Sequence, residues 1–454
     1  MIYLPQICPQ PDWHDLIPEI SDHSTTDTSF WISGYRKDDT SIHGTVKVDR
    51  VQGEQKVAIH GENGVDVEYI NSRTLITSCS QVGAKDITIY APWKEWKSAL
   101  SKPVLAIDAS HEGRLCAYTQ EQHIIVASIQ DGETQTIMKG HVADVTTVRF
   151  FPSNQEEVGR RTMLLSGGSD FQAKIWSVDD GSNPVTLTGH TAGITDLAIV
   201  SVGRNVLSMW QNLEIERKNL TYPYLYTKAF FCRWYIKLAS SKDGTIRLWH
   251  CGSGASIAVL GNYQVPVTTM ILTSLPDNYE PVDLSTLDER EVDTGDKLVL
   301  VGLNDGSVRG IHLGTKEEIF SIETDATKVS ALQYDPITKI VLVGGENGIV
   351  EVFELSNLDR PKLEWQRSDH AVTGLGIRRS NDGEVFVFVS NADGSIYSTN
   401  NLLNAVQNNS NLQVSTEYSG NELESINDIS LITENFANKH QLLCCNREGY
   451  IKIY

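Results

Sequence analysis

Apolar and polar residues alternate in short runs along most of this chain, so that successive side chains face opposite sides of an extended strand. Two long segments repeat one order of such runs. GHVADVTTVRF leads through LLSGGSDFQAKIW to Trp176, and GHTAGITDLAI leads through SSKDGTIRLW to Trp249. Weaker copies of the same unit, a tight turn followed by an alternating strand, occur at NDGSVRGIHL (304–313), ENGIVEVFEL (346–355), ADGSIYSTN (392–400) and REGYIKIY (447–454). Each has an apolar run before it suited to an inner strand, such as KLVLVG, IVLVGG, VFVFVS and QLLCC; VLAIDAS, RLCAYT and HIIVASI supply one more degenerate copy upstream of Gly140.

The order Gly-His, alternating strand, Asp turn and terminal Trp is that of a WD40 blade. The pattern predicts an all-β, seven-bladed WD40 β-propeller from about residue 101, within 98–454, with a small β-rich domain over 1–97. In such a blade a His, a Ser or Thr, the turn Asp and the Trp form one buried hydrogen-bond chain, which is costly when half satisfied. His141, Ser166, Asp170 and Trp176 fit that tetrad, as do His190, Asp243 and Trp249. The chain stops at Tyr454, after what reads as a third strand, so a strand from the N-terminal region is expected to complete the last sheet and remove its open edge. Asp86–Ala91 (DITIYA) is the candidate.

A formal charge of −20 opposes binding to nucleic acid and favours a basic protein partner. With no long apolar run and no signal peptide, a cytoplasmic and nuclear location without membrane contact is expected. Seven scattered cysteines without metal-ligand spacing predict reduced thiols and no metal. No P-loop, Gly-x-Ser-x-Gly, HExxH or dinucleotide fingerprint is present, so no enzyme activity, catalytic residue or cofactor is expected.

Beyond general blade grammar, the runs RFFPS, SGG-D, GRNV and RLW-CG across about residues 136–260 resemble the WD40 proteasomal ATPase-associated factors, and DEREVDTGDKLVLV (288–301) is similar too. The resemblance implies a non-enzymatic, monomeric assembly chaperone that holds an AAA ATPase subunit of the proteasome regulatory particle base through that subunit's C-terminal domain. The rival is a substrate receptor of a cullin-type ubiquitin ligase. Such receptors carry Trp-Asp-x-Arg after the third strand, where this chain has Trp176-Ser177-Val178-Asp179 and Trp249-His250-Cys251-Gly252. The partner surface is expected among loops on the face bearing the Asp turns, with Asp144, Asp325, Glu346, Asp369, Asp393 and Glu448 as acidic contacts and Phe171 as an apolar anchor. The acidic segment Pro276–Asp296 reads as a solvated loop on the opposite face.

Met209–Ala239 does not fit its blade. It lacks Gly and Asp and holds eight aromatics in 31 residues, and it stretches the His190–Trp249 spacing to 59 positions against 35 for His141–Trp176. Its ends can be encoded with GTATGT and TAG, so it reads as a translated intron whose removal joins GRNVLT to SSKDGTIRLW and supplies a Thr to a tetrad lacking its hydroxyl. The mature messenger RNA is therefore expected to lack these 93 nucleotides. A transcript that retains them, with peptides from Asn219–Lys228 detected in cells, overturns the reading.

Overall fold

A computed structural model describes residues 1–21, 27–39, 41–50, 57–152, 162–201, 205–211, 245–380, 383–408, 411–421, 424–432 and 442–454. The chain divides into two compact units, Val104–Glu323 and a second made of Met1–Pro103 with Thr324–Tyr454. Among the described residues, no helix is long and apolar enough to cross a membrane.

The Val104–Glu323 unit holds four antiparallel four-stranded sheets, each built from consecutive strands. In one of them Val145–Phe150, Met163–Gly168, Ala173–Ser177 and Val185–Leu187 pair in chain order. The inner strands are buried on both faces, which explains why LLSGG and AKIWS read as continuous apolar runs. Hydroxyls tie sheet to sheet: the Thr146 Oγ1 donates to the Ile194 carbonyl of the next sheet, while Asp196 accepts from Met270 N–H at 3.1 Å in the one after.

The next sheet spans the anomalous segment. Asn205–Gln211 pairs with Thr245–His250, matching Val206 to Trp249 and Ser208 to Arg247. This is the register that matches Leu164 to Trp176 and Ser166 to Lys174. Ser208 thus occupies the hydroxyl position, which corrects the expectation that this blade lacks one: strand pairing, not distance in sequence from Asp243, decides which residue takes that position. Most of the proposed intron lies outside the described residues.

Pro276–Asp296 exposes most of its acids, as expected, but is anchored at several points. Leu275 N–H bonds the Asp296 carbonyl, Val292 N–H bonds Asn205 Oδ1 at 2.7 Å, and Lys316 Nζ reaches the buried Glu291 carboxylate at 2.5 Å. Asp288 takes a bidentate fork from Arg290 at 2.6 and 2.7 Å. Asp277, Glu280, Asp283, Glu289, Asp293 and Asp296 are exposed, as an acidic loop predicts, while the Glu291 side chain is buried against Lys316 and the backbone of the segment is tied down at Asp296 and Val292. GRNV and DEREVDTGD meet at the Asn205–Val292 bond.

The second unit holds three further four-stranded antiparallel arrays. Val329–Asp335, Ile340–Gly345, Ile349–Glu354 and Leu363–Gln366 form the first, to which Ile2–Tyr3 adds in parallel. Val372–Arg379, Val385–Asn391, Ile396–Asn400 and Gln413–Tyr418 form the second. Ile426–Leu431, Leu442–Asn446 and Tyr450–Ile453 form the third, completed by Lys94–Lys97, which runs antiparallel to Tyr450–Ile453. The N-terminal region also holds a separate sheet of Gln6–Pro9, Asp27–Tyr35, Ile42–Arg50 and Val57–Glu62, a short helix, Trp13–Ser21, and the strands Asp66–Asn71 and Thr74–Cys79, which extend the second array through Ala84–Tyr90.

Asp86–Ala91 is therefore not the completing strand. Most of it lies in Ala84–Tyr90, which pairs in parallel with Gln413–Tyr418 and buries Ile87 and Ile89 in the core shared with Leu75 and Val82. Lys94–Lys97 (KEWK) lacks apolar alternation, because an edge strand needs only backbone pairing and one packed side chain, here the half-buried Trp96, and its lysines suit an edge. Deletion of residues 1–97 should lower the melting temperature further than deletion of 1–91, which spares this strand. Equal melting temperatures for the two truncations would show that the strand contributes nothing.

Candidate functional site at the turn-bearing ends of the strands

The loop between second and third strands must turn within a few residues beside the loop that leads into the sheet, and it buries polar atoms in doing so. At the first clear repeat the structure brings His141, Ser166, Asp170 and Trp176 together. Trp176 Nε1 donates to Ser166 Oγ at 2.8 Å, Ser166 Oγ lies 2.7 Å from His141 Nε2, and His141 Nδ1 lies 2.9 Å from Asp170 Oδ2. Asp170 also accepts from the N–H groups of Val142 at 3.0 Å and Gln172 at 3.2 Å. Burial acts to raise the Asp170 carboxyl, but these donors outweigh it and hold the group below the ordinary carboxylate range.

The second tetrad is looser. His190 Nε2 lies 3.5 Å from Ser208 Oγ and packs edge-on to Trp249, whose Nε1 has no hydrogen-bond partner among the described residues. Asp243 lies outside the described residues.

In the other unit the same place is filled by different chemistry. Asn421 Nδ2 donates to the Tyr454 hydroxyl at 2.7 Å, which donates to the Ser419 carbonyl at 2.6 Å. Cys444 stands opposite Lys452, where Ser166 stands opposite Lys174. In the second array, Ser368 Oγ donates to Asp393 Oδ2 at 2.7 Å and Ser395 donates to Oδ1. Asp393, expected as a partner contact, thus spends its carboxylate on its own turn and on the loop that leads into its sheet.

The remaining expected contacts fall as follows. In the Val104–Glu323 unit, Asp144 and Phe171 are exposed at one sheet tip, where Ser169 N–H bonds the Asp144 carbonyl at 2.7 Å. In the other unit, Asp325, Glu346, Asp369 and Glu448 are all exposed. Glu346 pairs with Lys328 at 3.1 Å and Asp369 with Lys37 at 2.5 Å. A chain of turn contacts joins two of them: Asn347 Nδ2 donates to the Asp325 carbonyl, and Gln366 Nε2 donates to both the Asn347 carbonyl and Asp369 Oδ1. Here Gly348 is obligatory, since it has φ +76° and a Cβ on it would stand 2.0 Å from the Ser368 carbonyl oxygen.

Two buried acids escaped the sequence reading. Glu417 is held by Arg367, whose guanidinium stacks on Tyr397 with its carbon 4.3 Å from the ring centroid, and accepts Ile7 N–H at 3.0 Å. Burial pushes the Glu417 carboxyl up against the pull of both donors. The single signal is Arg367 in WQRSDH, at the place of Gly140 in MKGHVAD. Together with Arg36, Lys37, His370 and Asp393, this pair borders a cleft of about 430 Å³. Glu351 lies under the Asp325 loop and accepts Asp325 N–H with both oxygens, at 3.1 and 3.2 Å.

Burial raises Glu351 from the ordinary 4.5 to about 7. Because the folded value lies above the unfolded one, the protonated form stabilises the fold fully below about pH 4.5, and that contribution is lost as pH rises through 7. Glu351→Gln should therefore be more stable than the unchanged chain at pH 8, by on the order of 1–3 kcal/mol, with the gain vanishing at pH 4. Denaturant melts at the two pH values check this, and a gain equal at both refutes the assignment.

Comparison with known proteins agrees with this geometry. A WD domain, G-beta repeat family matches residues 132–177, which cover the Asp170 turn and its tetrad. The chain is 25% identical over its whole length to the Probable proteasomal ATPase-associated factor 1 of Dictyostelium discoideum, covering 96% of that protein. It is 43% identical over 86 residues to the 26S proteasome regulatory subunit RPN14 of Saccharomyces cerevisiae, and 25% identical over 124 residues to the Proteasomal ATPase-associated factor 1 of Homo sapiens. These two alignments span 19% and 31% of the relatives' lengths.

Proposed function

We propose that this WD40-repeat chain is a non-catalytic chaperone that binds the C-terminal domain of a proteasomal AAA ATPase subunit and regulates assembly of the 19S regulatory particle base. The observation that carries the reading is its end-to-end similarity to a protein named as a proteasomal ATPase-associated factor. A seven-bladed ring, with Lys94–Lys97 completing the last blade, is the scaffold the proposal assumes.

Charge and geometry support a basic partner. The chain carries 58 acidic against 38 basic residues, and Asp325, Glu346 and Glu448 stand exposed beside rigid, hydrogen-bonded turns. Exposed charges of this kind act mainly on encounter rate and are screened by salt. Asp393 makes a poor contact in this scheme, since its carboxylate already serves Ser368 and Ser395. Asp369 shares its charge with Lys37, and Glu346 shares its own with Lys328 at the longer distance of 3.1 Å.

The test is co-purification of the tagged chain, followed by association kinetics with each purified ATPase C-terminal domain. ATPase base subunits should be recovered. Ligase adaptors in their place, or neither, would overturn the proposal. Reversing Asp325, Glu346 and Glu448 to Lys should slow association about tenfold at low salt while moving the melting temperature little, and the difference should fade at roughly 0.5 M salt, where the Debye length is ~4 Å. Association indifferent to both salt and reversal sinks the electrostatic part.

A further inference from the structure

Phe171 stands where four of the weaker repeats use glycine. Each Asp-type turn among the weaker repeats pairs its polar residue with a Gly of positive φ: Asp305 with Gly306 at +87°, Asn347 with Gly348 at +76°, Asp393 with Gly394 at +90° and Glu448 with Gly449 at +86°. At the tetrad turn the residue after Asp170 is Phe171, with φ +67°. The other ten non-glycine residues with positive φ among the described residues are all polar, types that tolerate this region better than a bulky ring does. A phenylalanine here is strained, and a strained backbone position that the surroundings hold fast points to function.

The surroundings do hold it. Phe171 N–H bonds the Gly168 carbonyl at 3.2 Å, Gly168 N–H bonds the Gln172 carbonyl at 3.1 Å, and Gln172 N–H bonds Asp170 Oδ1. Asp170 is in turn locked by His141. The same carboxylate fixes Val142 through its N–H, and Val142 is 77% exposed while Phe171 is 45% exposed. Asp144 is exposed at the same tip. Two apolar side chains and an acid therefore project from a base that has no freedom left to lose, which is the condition under which an aromatic side chain contributes most to binding.

We propose that Phe171, flanked by Val142 and Asp144, is the apolar anchor of the partner interface, seated in an apolar pocket with a basic rim on the ATPase C-terminal domain. This rests on the function proposed above. The tetrad then serves two ends: it satisfies the buried polar atoms of its sheet and fixes the pose of the anchor. The strain at Phe171 is retained for binding, so its removal should weaken affinity without lowering stability.

Phe171→Gly and Phe171→Asn in the full chain, both compatible with positive φ, test this by melting temperature and by titration against the purified ATPase C-terminal domain. The expected result is a melting temperature unchanged or raised by about 1–2 °C with affinity weakened roughly tenfold or more, and Phe171→Leu falling between. Affinity within twofold of the unchanged chain in both variants overturns the anchor while leaving the partner intact. Lower melting temperatures in both variants also overturn it, since Phe171 would then be a packing residue. If the unchanged chain binds none of the ATPase domains, the partner assignment fails and the anchor fails with it.

Discussion

The constraint on which this fold depends is that polar atoms at the turn-bearing end of each sheet are buried between that turn and the loop leading into the sheet, where water cannot satisfy them. An orphaned donor or acceptor there costs about 1–3 kcal/mol. At the first clear repeat, one hydroxyl solves the problem by standing between an indole and an imidazole while a carboxylate closes the chain and collects two backbone N–H groups. Because every member has a partner, the turn is rigid. The same requirement is met elsewhere by Asn421 with Tyr454 and by Ser368 with Asp393, so the sequence is free to drift where the hydrogen-bond chain is not.

Rigidity at that end is what makes the loops usable. The exposed acids and Phe171 project from turns whose backbone geometry is already determined, so little conformational entropy remains to be lost when a partner is engaged. Within the second unit, the turn contacts from Asp325 through Asn347 and Gln366 to Asp369 show how neighbouring repeats fix one another's loops.

The N-terminal region is woven into the repeats of its unit. Ile2–Tyr3, Ala84–Tyr90 and Lys94–Lys97 each cover the outer edge of a different array, the first two in parallel and the third antiparallel. Trp13 Nε1 donates to Ser419 Oγ at 3.1 Å, and Ile7 N–H reaches Glu417. Edge strands left bare would pair with other chains, so these segments both close edges and tie the ends of the sequence together.

The repeats themselves were legible in the sequence. The alternation of side chains, the position of the Asp turns and the membership of His141, Ser166, Asp170 and Trp176 follow from local periodicity, which acts over a few residues and leaves a direct trace. What the tertiary structure alone decided depends on partners far apart. That Lys94–Lys97 and not Asp86–Ala91 completes the last sheet, that Ser208 takes the register position of Ser166 beside His190, and that Arg367 finds Glu417 are outcomes of pairing register and burial. Pro276–Asp296 carries the same lesson, for its composition does not show that Lys316 buries Glu291 or that Asn205 accepts the Val292 N–H. The strain at Phe171 belongs there too, because sequence names the residue at a turn while only the folded backbone sets the sign of its φ.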